Sequence, residues 1–311
     1  MGLAKVAPVL ASAGVSDFFV ALAEEGAELR EILGPEPSIY VFSGLMDGDT
    51  ALVEARFLIP LLNSPDQMRR FATDLPGHPC GLQFDTGMNR LGLEAAEVAG
   101  IAHLLPTLNL KHVMSHLACS DQALHPLNGL QLTTFQTLTG ALSIIPRSLA
   151  ATGGTLLGPL YHFNMTRPGI GLFGGMPFAD AQPVVALDLP VIQVRDILPG
   201  EVVGYGADWQ APMPTCVATL AAGYADGLIR AMGNNARVFA GGVACKVIGR
   251  VSMDLITVDV TGLREVPAQM EILGPNQGID DLAAAAGTIG YEILTSLGAR
   301  YERRYKGGEQ V

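Results

Sequence analysis

Cysteine, charge and long apolar runs are all scarce in this chain of 311 residues. The four cysteines, Cys80, Cys119, Cys216 and Cys245, stand far apart and form no C-x-x-C pair, so neither a zinc site nor a disulfide framework is indicated. Charged residues make up only 16%, below the usual share of about 25%. Those present lean acidic, with 19 Lys and Arg against 30 Asp and Glu and a net charge of −11. A surface that tracks nucleic-acid phosphates needs positive potential, so nucleic acid is excluded as a partner and any anionic ligand must be met by local cations. No apolar run reaches the length of a membrane span, about 18 residues. The start, Met1 to Gly14, lacks the basic-then-apolar layout of a signal peptide because Pro8 interrupts it. The expectation is a soluble protein of a reducing, cytoplasmic compartment.

What the chain does contain is apolar. Hydrophobic residues reach 49%, with 37 glycines and 20 prolines to make many short connections. The length admits two domains at roughly 150 residues each, or one large barrel with an appendage. Strand-like runs at Phe18–Leu22, Ser38–Phe42, Leu58–Leu62, Gly81–Asp85, Lys111–Ser115 and Ser148–Ala151 alternate with helical stretches at Glu24–Leu33, Pro65–Asp74, Leu93–Leu105 and Gln131–Leu142. This rhythm implies a parallel sheet, and so many units favour an α/β barrel of the TIM type. The chain opens on a helix-like pattern, MGLAKVAPVLASAG, with no strand before it. After Gly175 the texture changes to short β segments: Val184–Leu189, Val191–Arg195, Cys216–Ala221, Arg237–Phe239, Ala244–Ile248 and Ile256–Val260. No helix-length stretch returns until about Asp280, so residues 184–311 are expected to form a mainly β domain behind a barrel of residues 1–183.

Six motifs carry residues suited to chemistry. In a parallel barrel, polar groups just after strands line one rim, which places Asp85, His116 and Thr152 there. FDTGMNRLGL puts Arg90 in a strand-to-helix loop, where a guanidinium can present a planar fork of donors to an anion. HVMSHLACSD carries His116, either a packed histidine or a site group. In TRPGIGLFGG, Arg167 precedes a glycine turn whose N–H groups can turn toward a phosphate. AAGYADGLIR carries Tyr224, GRVSMDLITVDV carries Met253 and Asp254, and GTIGYEILTSL carries Tyr291 at a helix entrance. Each also has an ordinary reading: Asp85 and Thr86 as loop caps, Tyr224 as a hairpin aromatic, Met253 as core filler and Asp254 as a turn former.

Taken together and in this order, FDTGMNRLG, MSH, TRPGIGLFGG, LAAGYADGLIR, GRVSMD and GTIGYEIL resemble the alanine racemase family. The resemblance runs from about residue 3 to residue 305. It implies an eight-stranded α/β barrel followed by a β domain, pyridoxal 5'-phosphate (PLP) as cofactor, and interconversion of L- and D-alanine that supplies peptidoglycan with D-alanine. It further implies a homodimer that shares its active sites between subunits. Position by position, it makes Tyr224 the acid/base on one face of the substrate carbon and Arg90 the partner of the cofactor's phenolic oxygen and of the substrate carboxylate. Met253 meets substrate through its backbone. Arg167 faces the pyridine nitrogen with His116 behind it, and Thr152, Gly169, Ile170 and Tyr291 form the phosphate cradle. No metal is implied.

Three departures from the family pattern stand out. Gln83 replaces a lysine that is often carbamylated, and is expected to hydrogen-bond Arg90 without a charge. Thr152 replaces serine and keeps the hydroxyl. The Schiff-base lysine belongs to a K-A-x-A-Y-G segment at the end of the first strand, and the chain aligns from just after it. Lys5 falls inside the opening helix and is no substitute. The expectation is therefore a racemase whose first strand and lysine lie upstream of Met1, with residues 1–311 inactive on their own. Two alternatives stay open: a non-catalytic remnant of a PLP site that serves binding or assembly, and a racemase of another amino acid such as serine.

Overall fold

Strand and helix alternate through the first of two units in the computed structural model, Met1–Gly169. The structure describes residues 1–307. After helix α1 (Leu3–Ser12) the order is β1 (Asp17–Val20), α2 (Ala23–Leu33), β2 (Ser38–Val41), α3 (Thr50–Ala55), β3 (Ile59–Leu62) and α4 (Pro65–Asp74). Then come β4 (Pro79–Gln83), α5 (Ala95–Ile101), β5 (Asn109–Met114), α6 (Pro126–Leu138), β6 (Arg147–Ser148) and α7 (Thr152–Leu156). The six strands pair in sequence order and all in parallel. A single parallel bridge, Ala151 to Arg167, extends the sheet beyond β6. This is a barrel-type sheet. Among the described residues no pairing joins β1 to the Arg167 edge.

Alternation along the strands sorts the two faces. Phe18, Val20, Ile39, Val41, Leu62, Leu82 and Val113 pack outward with helix residues such as Leu29, Met68, Phe71 and Phe135. Tyr40, Ile59, Leu61 and Met114 gather on the other face with Phe19 and Phe42. Gly81 shares that crowded side: a Cβ there would come within 2.6 Å of Leu61 Cδ2 and 3.0 Å of the His112 carbonyl oxygen.

Some boundaries differ from expectation for identifiable reasons. The helix expected over Leu93–Leu105 is only Ala95–Ile101. Leu93 is drawn off as a bridge partner of Phe84, and Glu94 with Glu97 forms a capping box that starts the helix after it. Helix α6 starts five residues before Gln131, at Pro126, where the His125 ring caps the N–H of Leu127 and a proline at the first turn loses no bond.

The second unit, from Ile170 onward, is built on strands β7 (Leu187–Ile197), β8 (Val202–Val203), β9 (Trp209–Gln210), β10 (Thr215–Leu220), β11 (Arg237–Ala240), β12 (Val243–Lys246), β13 (Ile256–Asp259) and β14 (Gln269–Leu273). Helices α8 (Ile279–Ala286) and α9 (Gly290–Ser296) follow. Six strands form an antiparallel sheet in the order β12-β11-β14-β7-β10-β13, and β8 pairs with β9. The two strands expected on either side of Pro190 are one. Residues up to Pro190 pair with β14 and those from Val191 with β10, so the proline, which has no N–H to give, sits at the hand-over between partners. Leu189, Ala218, Leu220, Val238, Val258, Met270 and Ile272 make its core together with Leu282 and Ile293 of the two helices.

Candidate active site

In the first unit the sheet's C-terminal rim gathers a buried polar network. Arg167 is only 9% exposed. Its guanidinium donates through Nη1 to Ser148 Oγ and through Nη2 to the carbonyls of Ser115, at 2.7 Å, and Leu149, at 3.5 Å. It also lies over the Phe19 ring, 5.8 Å from the centroid. All these partners are neutral, and among the described residues Arg167 forms no ion pair. Burial pulls its pKa down to about 9, which still leaves it protonated at neutral pH.

His116 follows Ser115 directly at the end of β5. Burial first, then the charges of Arg167 and Arg90, lower its pKa to about 4, so the imidazole is neutral at physiological pH. Arg90 itself is exposed, on a loop that Asp85 shapes by accepting the N–H groups of Gly87 and Met88, at 2.7 and 3.0 Å. That bears out a capping role for Asp85. The expected bond from Gln83 to Arg90 is not formed. The Gln83 amide instead donates to the Leu91 carbonyl at 3.2 Å, and its buried Oε1 has no partner; Arg90 is exposed while Gln83 is buried. Thr86 turns inward rather than capping: its hydroxyl shares a 2.8 Å hydrogen bond with Ser115 Oγ and accepts one from Gln131 Nε2 at 3.1 Å. At the far end of the unit, Thr152 Oγ1 accepts the N–H of Gly169 at 2.9 Å.

Several participants carried no sequence signal. Gln131, fully buried on α6, donates to Thr86 and to the His116 carbonyl and accepts the N–H of Ala118, tying the rim loops together. His112 is buried within β5 with neither ring nitrogen partnered. It packs against Phe19 and Tyr40, and burial followed by the Arg167 charge lowers its pKa to about 3.

The second unit presents its candidates on turns. The first, Ile170, opens a short helical turn, and its N–H donates to the Tyr291 hydroxyl at 3.0 Å. Tyr291 stands in the first turn of α9. Tyr224 begins the turn Tyr224–Asp226 and is 43% exposed. Met253 is 54% exposed, so its side chain is not the core filler its residue type suggests. The two are interlocked through the main chain: Tyr224 N–H donates to Ser252 O at 3.0 Å and Ala225 N–H to Met253 O at 2.9 Å. Gly223 permits this, since a Cβ there would come within 2.4 Å of both carbonyl oxygens.

Family models for the alanine racemase N-terminal domain and C-terminal domain match residues 1–177 and 184–305. An alanine racemase of Dinoroseobacter shibae is 58% identical over 304 residues, which is 98% of this chain and 87% of that relative. One from Rhizobium meliloti is 42% identical, covering 99% of this chain and 88% of its own. Among solved structures, the Bartonella henselae alanine racemase with covalently bound pyridoxal phosphate superposes with a TM-score of 0.92 at 34% identity, over 98% of this chain and 89% of that one. The biosynthetic alanine racemase of Pseudomonas aeruginosa gives 0.90 at 33%, with the same coverage.

Proposed function

Because the chain belongs to the alanine racemase family, we propose that it interconverts L- and D-alanine with PLP as cofactor and that the D-alanine serves peptidoglycan synthesis in the cytoplasm. The observation that carries the cofactor assignment is Arg167, a buried and protonated guanidinium whose partners are all neutral oxygens. Such a group suits the ring nitrogen of a heterocycle, to which it donates without giving up its proton. Thr152, Gly169, Ile170 and Tyr291 offer only hydroxyls and N–H groups, a donor set suited to a phosphate. None of the four lysines, Lys5, Lys111, Lys246 and Lys306, stands at the C-terminal end of a strand of the parallel sheet, so no residue here is assigned the covalent link.

When bound, PLP supplies the electron withdrawal that makes the substrate's Cα–H acidic. Arg167 moderates that withdrawal by keeping its proton, which favours return of a proton to Cα over transamination. His116, neutral beside it, supports the guanidinium without competing for charge. Arg90, exposed on its loop, binds the substrate carboxylate and the phenolic oxygen. Tyr224 moves the proton on one face of Cα, and the backbone of Met253, fixed by Ala225, helps seat the substrate. Residues 1–183 thus serve cofactor binding, and residues 184–311 bring the acid/base tyrosine and add Tyr291 to the phosphate donors. We infer a homodimer in which each tyrosine serves the partner's site, with a small amino acid as the other partner.

The test is chiral analysis of product from the protein expressed from its full reading frame with PLP. D-alanine from L-alanine is expected, faster than D-serine from L-serine. A preference for serine would change the substrate, and absence of both PLP absorbance and D-alanine would contradict the proposal.

A further inference from the structure

Resting on the assignment of Tyr224 and Met253 above, we propose that Arg300 is a positioning residue that ties their two loops into one piece. Arg300 lies just beyond α9 and reaches both loops at once. Its Nε meets Asp226 Oδ1 at 2.7 Å and its Nη1 meets Asp254 Oδ1 at 2.8 Å. Asp226 closes the Tyr224 turn, and Asp254 directly follows Met253. The two carboxylates differ in setting. The Asp226 side chain is nearly buried, at 9%, and its Oδ2 accepts the Gly223 N–H at 2.9 Å, while the Asp254 side chain is 54% exposed.

The approach of Arg300 is set by the main chain before it. Gly298 N–H donates to Asp226 O at 2.9 Å, and Gly227, at φ +98°, passes so close to Ser296 O that a Cβ would lie 2.0 Å away. The segment from Ser296 to Arg300 is therefore seated against the turn, and only a two-ended planar fork serves both acids from there. Partly exposed ion pairs contribute little to global stability, so the clamp acts locally, on the placement of the Tyr224 turn.

Amide hydrogen exchange reads this directly and without cofactor. In Arg300→Ala, the N–H groups of Tyr224 and Ala225 are expected to exchange about tenfold faster, while Ala218 and Val258 in the sheet keep their protection. Arg300→Lys keeps a charge but not the fork, and is expected to resemble Arg300→Ala at Ala225. Arg304→Ala, whose ion pair among the described residues is to Glu302, is the control and leaves both amides protected. In the active protein, Arg300→Ala is expected to lower kcat about tenfold with KM little changed. Unchanged protection in Arg300→Ala, or full protection in Arg300→Lys, would overturn the clamp. Faster exchange without any racemase activity would leave the clamp standing and count against the functional assignment.

Discussion

The parallel unit hides its key cation and the β-rich unit displays its key tyrosine. Arg167 is enclosed by Ser115, Ser148, Leu149 and Phe19, and a layer of Gln131 and Thr86 fixes the loops around it. Tyr224 and Met253 stand half exposed, held through main-chain bonds and one surface arginine. The difference teaches how the two tasks are divided. On the proposed roles, the group that keeps one charge state is kept dry and bonded to neutral partners, whereas the group that meets a substrate is held by its backbone and left accessible. Function and stability should therefore separate in the second unit and be coupled in the first.

The largest effect tests that separation. Tyr224→Phe is expected to slow racemisation by about 10²- to 10⁴-fold with a Tm within about 1 °C of the parent, because the residue is half exposed. A large loss of Tm would remove the distinction. In the first unit, Gln131→Leu leaves the His116 carbonyl and the Ala118 N–H without their side-chain partner and Thr86 Oγ1 with Ser115 alone, and should cost about 2–4 kcal/mol in chemical denaturation.

Acid should act on the first unit in the same sense. Burial holds His116 and His112 at about 4 and about 3, against an ordinary 6.5. Between those values the unfolded chain binds protons that the folded chain does not, so stability is full above about 6.5 and declines as the pH falls toward 4 and then 3. The slope is up to about 1.4 kcal/mol per pH unit for each ring. Urea midpoints at pH 7, 5.5 and 4.5 measure it, and His112→Leu should flatten it. The smallest effect on stability is the most discriminating: Arg167→Met removes an enclosed charge that has no acidic partner among the described residues but leaves the Ser115 carbonyl without its donor, and these opposing terms should change the stability of the cofactor-free protein by less than about 1 kcal/mol.

Much of the site was legible because chemistry at a parallel sheet follows its strand ends. Asp85, His116 and Thr152 were placed at the rim by that logic, Arg167 was singled out by the glycine turn that follows it, and Tyr224 was given a role by the family resemblance alone. What could not be read are partners brought together from afar. Arg167 and Ser115 are 52 residues apart and Arg300 and Asp254 are 46 apart, and no local pattern marks Ser115, Ser148, Gln131 or Arg300. Met253 misled because methionine is a common core filler, and Gln83 because proximity in a motif does not reveal which carbonyl takes an amide's proton. The strand through Pro190 read as two because a proline normally ends a ladder, and a change of partner at that residue is invisible in sequence.

The most direct test of the central claim is ¹⁵N NMR of ring-labelled PLP bound to the protein from its full reading frame. If Arg167 faces the pyridine nitrogen as a donor that keeps its proton, the nitrogen stays unprotonated and hydrogen-bonded from pH 6 to pH 8, about one unit below the arginine's own titration. A pyridinium signal in that range would contradict the account.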